Sequence, residues 1–159
     1  MFGISEPTGS HLPLLESAVR ALHPKGLIIE HGAGLYSTVL LSWMDRKVIC
    51  VESNKGWREW AQWVLGPDGE VVERIPWARI KDAALVFIDG PSKERASLIE
   101  ACFAAGVPHI VAHDTAPRVF TEYGWRKEHF AAPGYTVTHD GDKYRTTLWT
   151  KQLGVPFDP

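Results

Sequence analysis

Continuous apolar runs, each ending in an ionisable residue, constrain this chain more than any other feature. They are GLIIEHG at 26–32, KVICVES at 47–53, AALVFIDG at 83–90 and PHIVAHD at 108–114. A strand with one solvated face alternates apolar and polar residues. A run without alternation is apolar on both faces and suits a parallel sheet covered by helices on both sides. Segments of helical spacing fill the gaps. Leu15, Ala18, Val19 and Leu22 share one helical face before His23-Pro24-Lys25-Gly26 stops the helix. STVLLSWMD follows the first run, and KGWREWAQWVL, closed by Gly66-Pro67, follows the second. EVVERI at 70–75 is a weaker strand, and SKERASLIEACFAAG places Leu98, Ile99, Cys102 and Ala105 on one side of a further helix.

The pattern changes after a helix expected around Phe120 to Phe130. YTVTHDGDKYRTTLWTK reads as two alternating segments joined by Asp140-Gly141-Asp142, a hairpin signal. The expected fold is therefore α/β: a three-layer sandwich whose mostly parallel, seven-stranded sheet ends in an antiparallel hairpin. A chain of 159 residues with no repeat or linker suits one domain spanning 1–159. MFGISEPTGSH has no periodicity, which leaves two readings of residues 1–11, a lid folded over a site or a frayed terminus.

The end of the first run asks for more than a turn. Glu30 precedes Gly32-Ala33-Gly34, and Ser37 and Thr38 open the next helix. Glycines there let backbone approach a ligand closely, and helix amides can meet an anionic group. In a doubly wound sheet, ligands bind outside the carboxyl ends of the strands. A pyrophosphate cradle would need a third glycine at position 37, which is serine, and a carboxylate before the glycines would repel a pyrophosphate. The same carboxylate suits an ammonium group, and the two hydroxyls suit a carboxylate. S-adenosylmethionine carries both groups and no phosphate. Glu52 ends the second run 20 residues after Gly32, where an acid accepts hydrogen bonds from ribose hydroxyls. Asp89, His113 and Asp114 close the other runs and face the same crevice.

EHGAGLYST at 30–38, VESNKGW at 51–57, FIDGP at 87–91 and VAHDT at 111–115, in this order, resemble the class I S-adenosylmethionine-dependent methyltransferases. The resemblance is greatest to small members with glycine-rich, VE and DGP motifs, and runs from about residue 10 to 150. It implies that Glu30, Gly32 and Gly34 line the methionine end of the cofactor, that Glu52 binds the ribose and that Asp89 lies near the transferred methyl. Ala33, Ser37, Thr38, Ser53, Trp57 and Trp77 complete the predicted cofactor contacts, the two tryptophans beside the adenine. DGPS stands where an amino-methyltransferase would carry Asp or Asn, Pro, Pro and an aromatic residue, which counts against methylation of DNA bases. His113-Asp114 replaces the Asp-Asn metal pattern of catechol-type enzymes, so no metal is assigned, although a His-Asp pair with Asp89 has the chemistry to hold one.

The function this predicts is methyl transfer to a small-molecule acceptor, most simply at oxygen, with His113 or Asp114 as the base. The alternatives are a non-catalytic cofactor-binding regulatory or scaffold protein, and a nicotinamide-dependent enzyme, against which the absent third glycine counts. A net charge of −2 disfavours an extended nucleic-acid interface. No apolar run approaches the roughly 20 residues of a membrane span, and a cytoplasmic location is expected. Cys50 and Cys102 look like buried small hydrophobes. On the helix from Trp57, the stripe Trp60, Ala61, Val64 and Leu65 is expected in the core. Trp63 is expected at a partner or homo-oligomer surface. Trp125 either borders the acceptor pocket or packs inside.

Overall fold

The computed structural model describes residues 11–22, 26–140 and 145–152. Residues 1–10 of the possible lid segment, and Gly141 and Asp142 of the expected hairpin turn, lie outside these residues. Seven strands form one sheet: β1 (Leu27–His31), β2 (Val48–Val51), β3 (Glu70–Val72), β4 (Ala83–Ile88), β5 (His109–Ala112), β6 (Tyr135–His139) and β7 (Thr147–Lys151). Their order across the sheet is β3-β2-β1-β4-β5-β7-β6. The pairs from β3 to β5 are parallel, and β7 runs antiparallel to both β5 and β6. The helices are α1 (Leu12–Ala21), α2 (Ser37–Ser42), α3 (Lys55–Leu65), α4 (Ser92–Ala105) and the single turn α5 (Phe120–Tyr123).

The unbroken apolar runs form the doubly covered strands that their composition predicted. Ile28, Val48, Leu85, Phe87 and Val111 face Leu15, Ala18 and Val19 of α1, Leu22 just after it, and Leu41 of α2. Ile29, Ile49, Val86, Ile88 and Ile110 face Leu98, Ile99 and Cys102 of α4 on the other side. Full burial of such a side chain stabilises by about 1.5–3 kcal/mol, so both faces together outweigh any single polar contact described below. Cys50 and Cys102 are buried free thiols within these layers.

Two regions depart from the expected pattern. In α3 only Ala61 is fully buried, while Trp57, Trp60, Val64 and Leu65 are half-buried and Trp63 is 81% exposed. The helix covers β2 and the short edge strand β3, so a single line of side chains meets the sheet. The helix expected around Phe120 to Phe130 is broken into a 3-10 turn at Pro117–Val119, α5 and a second 3-10 turn at Lys127–Ala131. Gly124 ends α5 in the left-handed conformation at φ 68°, which stops the helix. A further 3-10 turn, Trp77–Asp82, leads into β4 where no element was expected.

Trp149 wedges the antiparallel strand into place. It is fully buried, and its indole Nε1 donates to the His129 carbonyl at 2.7 Å. Trp149→Ala should lower unfolding stability by about 3–5 kcal/mol, whereas Trp149→Phe should cost less, as measured by urea denaturation.

Candidate functional site

The site is built on the loops that follow β1, β2, β4 and β5. After β1, Gly32 adopts φ +95°, and a Cβ there would stand 2.6 Å from Cα of Gly90 in the loop after β4. The two loops therefore meet backbone to backbone, which only glycine permits. A Cβ on Gly34 would stand 2.8 Å from Oγ of Ser37. Thr38 links the turn to the strand beneath it: its Oγ1 accepts from the Gly34 amide at 3.0 Å and donates to the Glu30 carboxylate at 2.9 Å.

Glu30 is wholly buried. Burial pushes its carboxyl up to about 7, against the lowering effect of the neighbouring hydroxyls. Glu30 thus reaches the turn through Thr38, and the Thr38 hydroxyl is committed to holding the turn rather than to a ligand. The Ser37 hydroxyl is different. Its Oγ is buried and makes no close hydrogen bond among the described residues, although it stands near enough to Glu30 to lower that carboxyl.

After β2, the Glu52 carboxylate joins two loops. It accepts from the Ala33 amide at 3.2 Å and the Asn54 amide at 2.7 Å. Asn54 in turn caps α3 by accepting from the Trp57 amide at 3.1 Å. Trp57 packs edge-on against Trp60 at 5.2 Å. Ser53 is exposed, and Trp77 is 53% exposed at the rim.

The period of two along a strand assigns the remaining groups. Asp89 continues the face of Leu85 and Phe87, and His113 continues that of Val111, so both turn toward α1. Asp114 turns toward α4, and its φ of 55° is a backbone conformation that Asp tolerates better than most residues. Nδ1 of His113 lies 3.4 Å from Oδ1 of Asp89 and 3.8 Å from Oδ1 of Asp114. Burial opposes the His113 imidazolium, but the hydrogen bond and charge of Asp89, with Asp114 behind it, hold the imidazole above its ordinary value. Burial likewise opposes the Asp89 carboxylate, and the His113 hydrogen bond and Arg95 hold it below the usual range.

Arg95 binds this end of the sheet together. Its guanidinium, almost fully buried, donates to the carbonyls of Gly90 at 2.8 Å, Asp89 at 3.0 Å and His113 at 2.9 Å. It also reaches Oδ1 of Asp89 at 3.2 Å and Oδ2 of Asp114 at 3.6 Å, and it lies over the Tyr123 ring at 4.2 Å. Tyr123, beside it, has its phenol pushed up to about 12, first by burial and then by the charge of Asp114. Trp125 is buried and donates Nε1–H to the Asp114 carbonyl at 2.9 Å, so it supports this loop from inside.

The predicted site residues fall into two groups. Glu30, Gly32, Ala33, Gly34, Ser37, Thr38 and Glu52 surround the first turn; Asp89, His113 and Asp114 form the second cluster. The side chains of Trp57, Ser53 and Trp77 stand outside both networks, and Trp57 joins the first only through its backbone amide. Sequence reasoning missed Arg95, although it stood on the inner stripe of α4, three, four and seven residues before Leu98, Ile99 and Cys102. A lone arginine on an apolar stripe was the available signal. It also missed His31, buried on the α4 side with Nε2 2.8 Å from Glu94, and His11, which lies 5.1 Å from the Phe87 ring and 5.2 Å from the His113 ring. Burial lowers both histidines, His11 to about 4. A 310 Å³ cavity opens elsewhere, between Trp43, Met44, Leu65 and Gly69, and holds none of the predicted site residues.

No protein-family model matches the sequence, and a comparison with curated proteins finds no match. Solved structures do match. A methyltransferase from Geobacter sulfurreducens superposes with a TM-score of 0.65 at 14% identity, over 91% of this chain and 79% of that one. The C-terminal domain of precorrin-6Y C5,15-methyltransferase from Rhodobacter capsulatus gives 0.59 at 18% identity, over 93% and 91%. An SAH-bound methyltransferase from Podospora anserina gives 0.62 at 11% identity, over 90% and 78%. The likeness is one of fold: this chain has the Rossmann-like fold of the class I methyltransferases, with the strand order and antiparallel end described above.

Two outcomes follow from the polar network. Arg95→Met leaves two carboxylates and three loop carbonyls without their shared donor and should destabilise the fold by about 3–5 kcal/mol, read by urea denaturation. Glu30 gives a pH dependence. Its carboxyl stands near 7 in the folded protein against 4.5 ordinarily, so its contribution to stability is complete below pH 4.5 and is lost as pH rises to about 7. At about 1.4 kcal/mol per pH unit the loss approaches about 3 kcal/mol. Glu30→Gln should remove that slope, and thermal melts from pH 4.5 to 8 will show whether it does.

Proposed function

We propose that this protein transfers a methyl group from S-adenosylmethionine to a small-molecule acceptor, at an oxygen atom. The observation that carries the reading is the Glu52 carboxylate, held by the Ala33 and Asn54 amides beside the Gly32–Gly34 turn, with the Asp89–His113 pair across the same edge. Two further observations test whether the residues fit the cofactor. The Ser37 hydroxyl is a buried donor that makes no close hydrogen bond among the described residues, beneath a turn that has room only for glycine. Glu30 is a carboxyl poised near neutral pH, which a nearby ammonium would ionise. The fold is shared with solved methyltransferases, one of them SAH-bound.

In this reading Glu52 accepts the ribose hydroxyls, and Trp57 and Trp77 flank the adenine. Gly32, Ala33 and Gly34 present backbone to the methionine end, with Ser37 as a donor and Thr38 and Glu30 holding the turn from below. Bound there, the cofactor supplies a methyl group on a sulfonium, and the rate depends chiefly on alignment of the acceptor with it. His113 takes the acceptor's proton: Asp89 and Asp114 stand at its Nδ1 and stabilise the imidazolium. Arg95 keeps those carboxylates and the two loops in register. The small acceptor binds over the ends of β4 and β5, between α1 and the segment from Ala116 to Gly134.

Calorimetric titration with S-adenosylmethionine, S-adenosylhomocysteine and NAD tests this. Both adenosyl ligands should bind and NAD should not, and Glu52→Ala should weaken them at least tenfold, about 1.4 kcal/mol or more. Failure of both adenosyl ligands to bind overturns the reading.

A further inference from the structure

His11 is 6% exposed, and neither of its ring nitrogens has a hydrogen-bond partner among the described residues. Buried polar groups in native proteins are almost always satisfied, so both nitrogens of one imidazole left bare call for a ligand. His11 is brought to the sheet edge because it immediately precedes α1, whose Leu15, Ala18 and Val19 pack on the face carrying Phe87 and Val111. Asp89 and His113 continue that same face two residues further on. One ligand atom each from His11, Asp89 and His113 consequently lies within 4.8 Å of the other two.

We propose that His11, Asp89 and His113 form a binding site for a divalent transition-metal cation, of the zinc, cobalt or nickel kind rather than magnesium or calcium. The chemistry of the donors makes this choice. Two imidazoles and one carboxylate suit borderline cations, whereas magnesium and calcium take sets of oxygen ligands. Bonds of about 2.0–2.2 Å around a tetrahedral ion require ligand atoms about 3.4 Å apart, so the widest edge must close by about 1.4 Å, within reach of ring and carboxylate rotations.

Arg95 is the obvious competitor, but it bonds to Oδ1 of Asp89, leaving Oδ2 for a cation. The immediate charges are Asp89 and Asp114 against Arg95, so with both histidines neutral the site is one negative charge in excess. Placing a dication there ties the start of α1 to the ends of β4 and β5. It also makes His113 a ligand, so in the metal-bound protein Asp114, which is not part of the triangle, takes over from His113 as the base beside the crevice. The site rests on these three side chains and not on the methyl-transfer reading.

The test uses the full chain, freed of metal by a chelator that is then removed. Zinc titration should show one ion per chain, cobalt should give the visible absorption of a low-coordinate site, and the zinc form should melt at higher temperature. His11→Ala and Asp89→Asn should each weaken zinc at least tenfold while circular dichroism shows an unchanged fold. His109→Ala, at the opposite end of β5, should bind zinc as the parent does. Absence of stoichiometric zinc, equal affinity for magnesium, or zinc binding unchanged in His11→Ala overturns the proposal. Because S-adenosylmethionine is titrated separately into the metal-free protein, loss of one reading leaves the other standing.

Discussion

The buried guanidinium of Arg95 holds together the edge of the sheet where β4 and β5 end. Without it, the loops after β4 and β5 would present two carboxylates and three carbonyls to one another with no shared donor. A buried cation with this many partners is costly to desolvate and costlier to leave unpaired, so its worth lies in geometry more than in net stability. It sets the distance between Asp89 and Asp114, and so decides which carboxylates stand beside His113. The Tyr123 ring on its open side ties α5 into the same arrangement.

The first turn is arranged by a second set of hydrogen bonds. Glu30, Thr38 and the Gly34 amide form a continuous set of hydrogen bonds from the interior of β1 to the backbone of the glycine turn. Glu52 does the same from β2 through the Ala33 amide. Both acids therefore fix the shape of the turn from within the protein. The close passage of Gly32 over Gly90 joins this network to the Arg95 cluster. The first turn and the Asp89–His113 cluster are then two parts of one rim.

His113 and Asp114 illustrate how a strand end distributes chemistry. Adjacent in sequence, they turn to opposite faces, one toward His11 and α1, the other toward Arg95 and α4. They meet again only because both lie at the end of the sheet, where neither covering layer separates them. Their contact at 3.8 Å is long for an ion pair, and Asp89 is the nearer partner of the imidazole. Trp125 fixes the Asp114 backbone from the core, which settles its role as packing rather than as pocket wall.

The sequence by itself determined the layer architecture, the seven strands and the residues at their carboxyl ends. Unbroken apolar runs admit few solutions other than a doubly covered parallel sheet, and period two then dictates which side chains face which layer. It also marked Glu30, Gly32, Glu52, Asp89, His113 and Asp114 by residue type and position. Tertiary structure alone decided what those groups touch. Glu30 lies beneath its turn because the helix α2 closes over it, α3 buries only Ala61 because it sits on the sheet margin, and the expected helix after Phe120 breaks at Gly124. His11, just before α1, meets strand ends far along the chain, and Arg95 of α4 joins its near neighbours Asp89 and Gly90 to His113 and Asp114 beyond the next strand. Such contacts depend on how whole elements dock, and no local pattern in the chain encodes that.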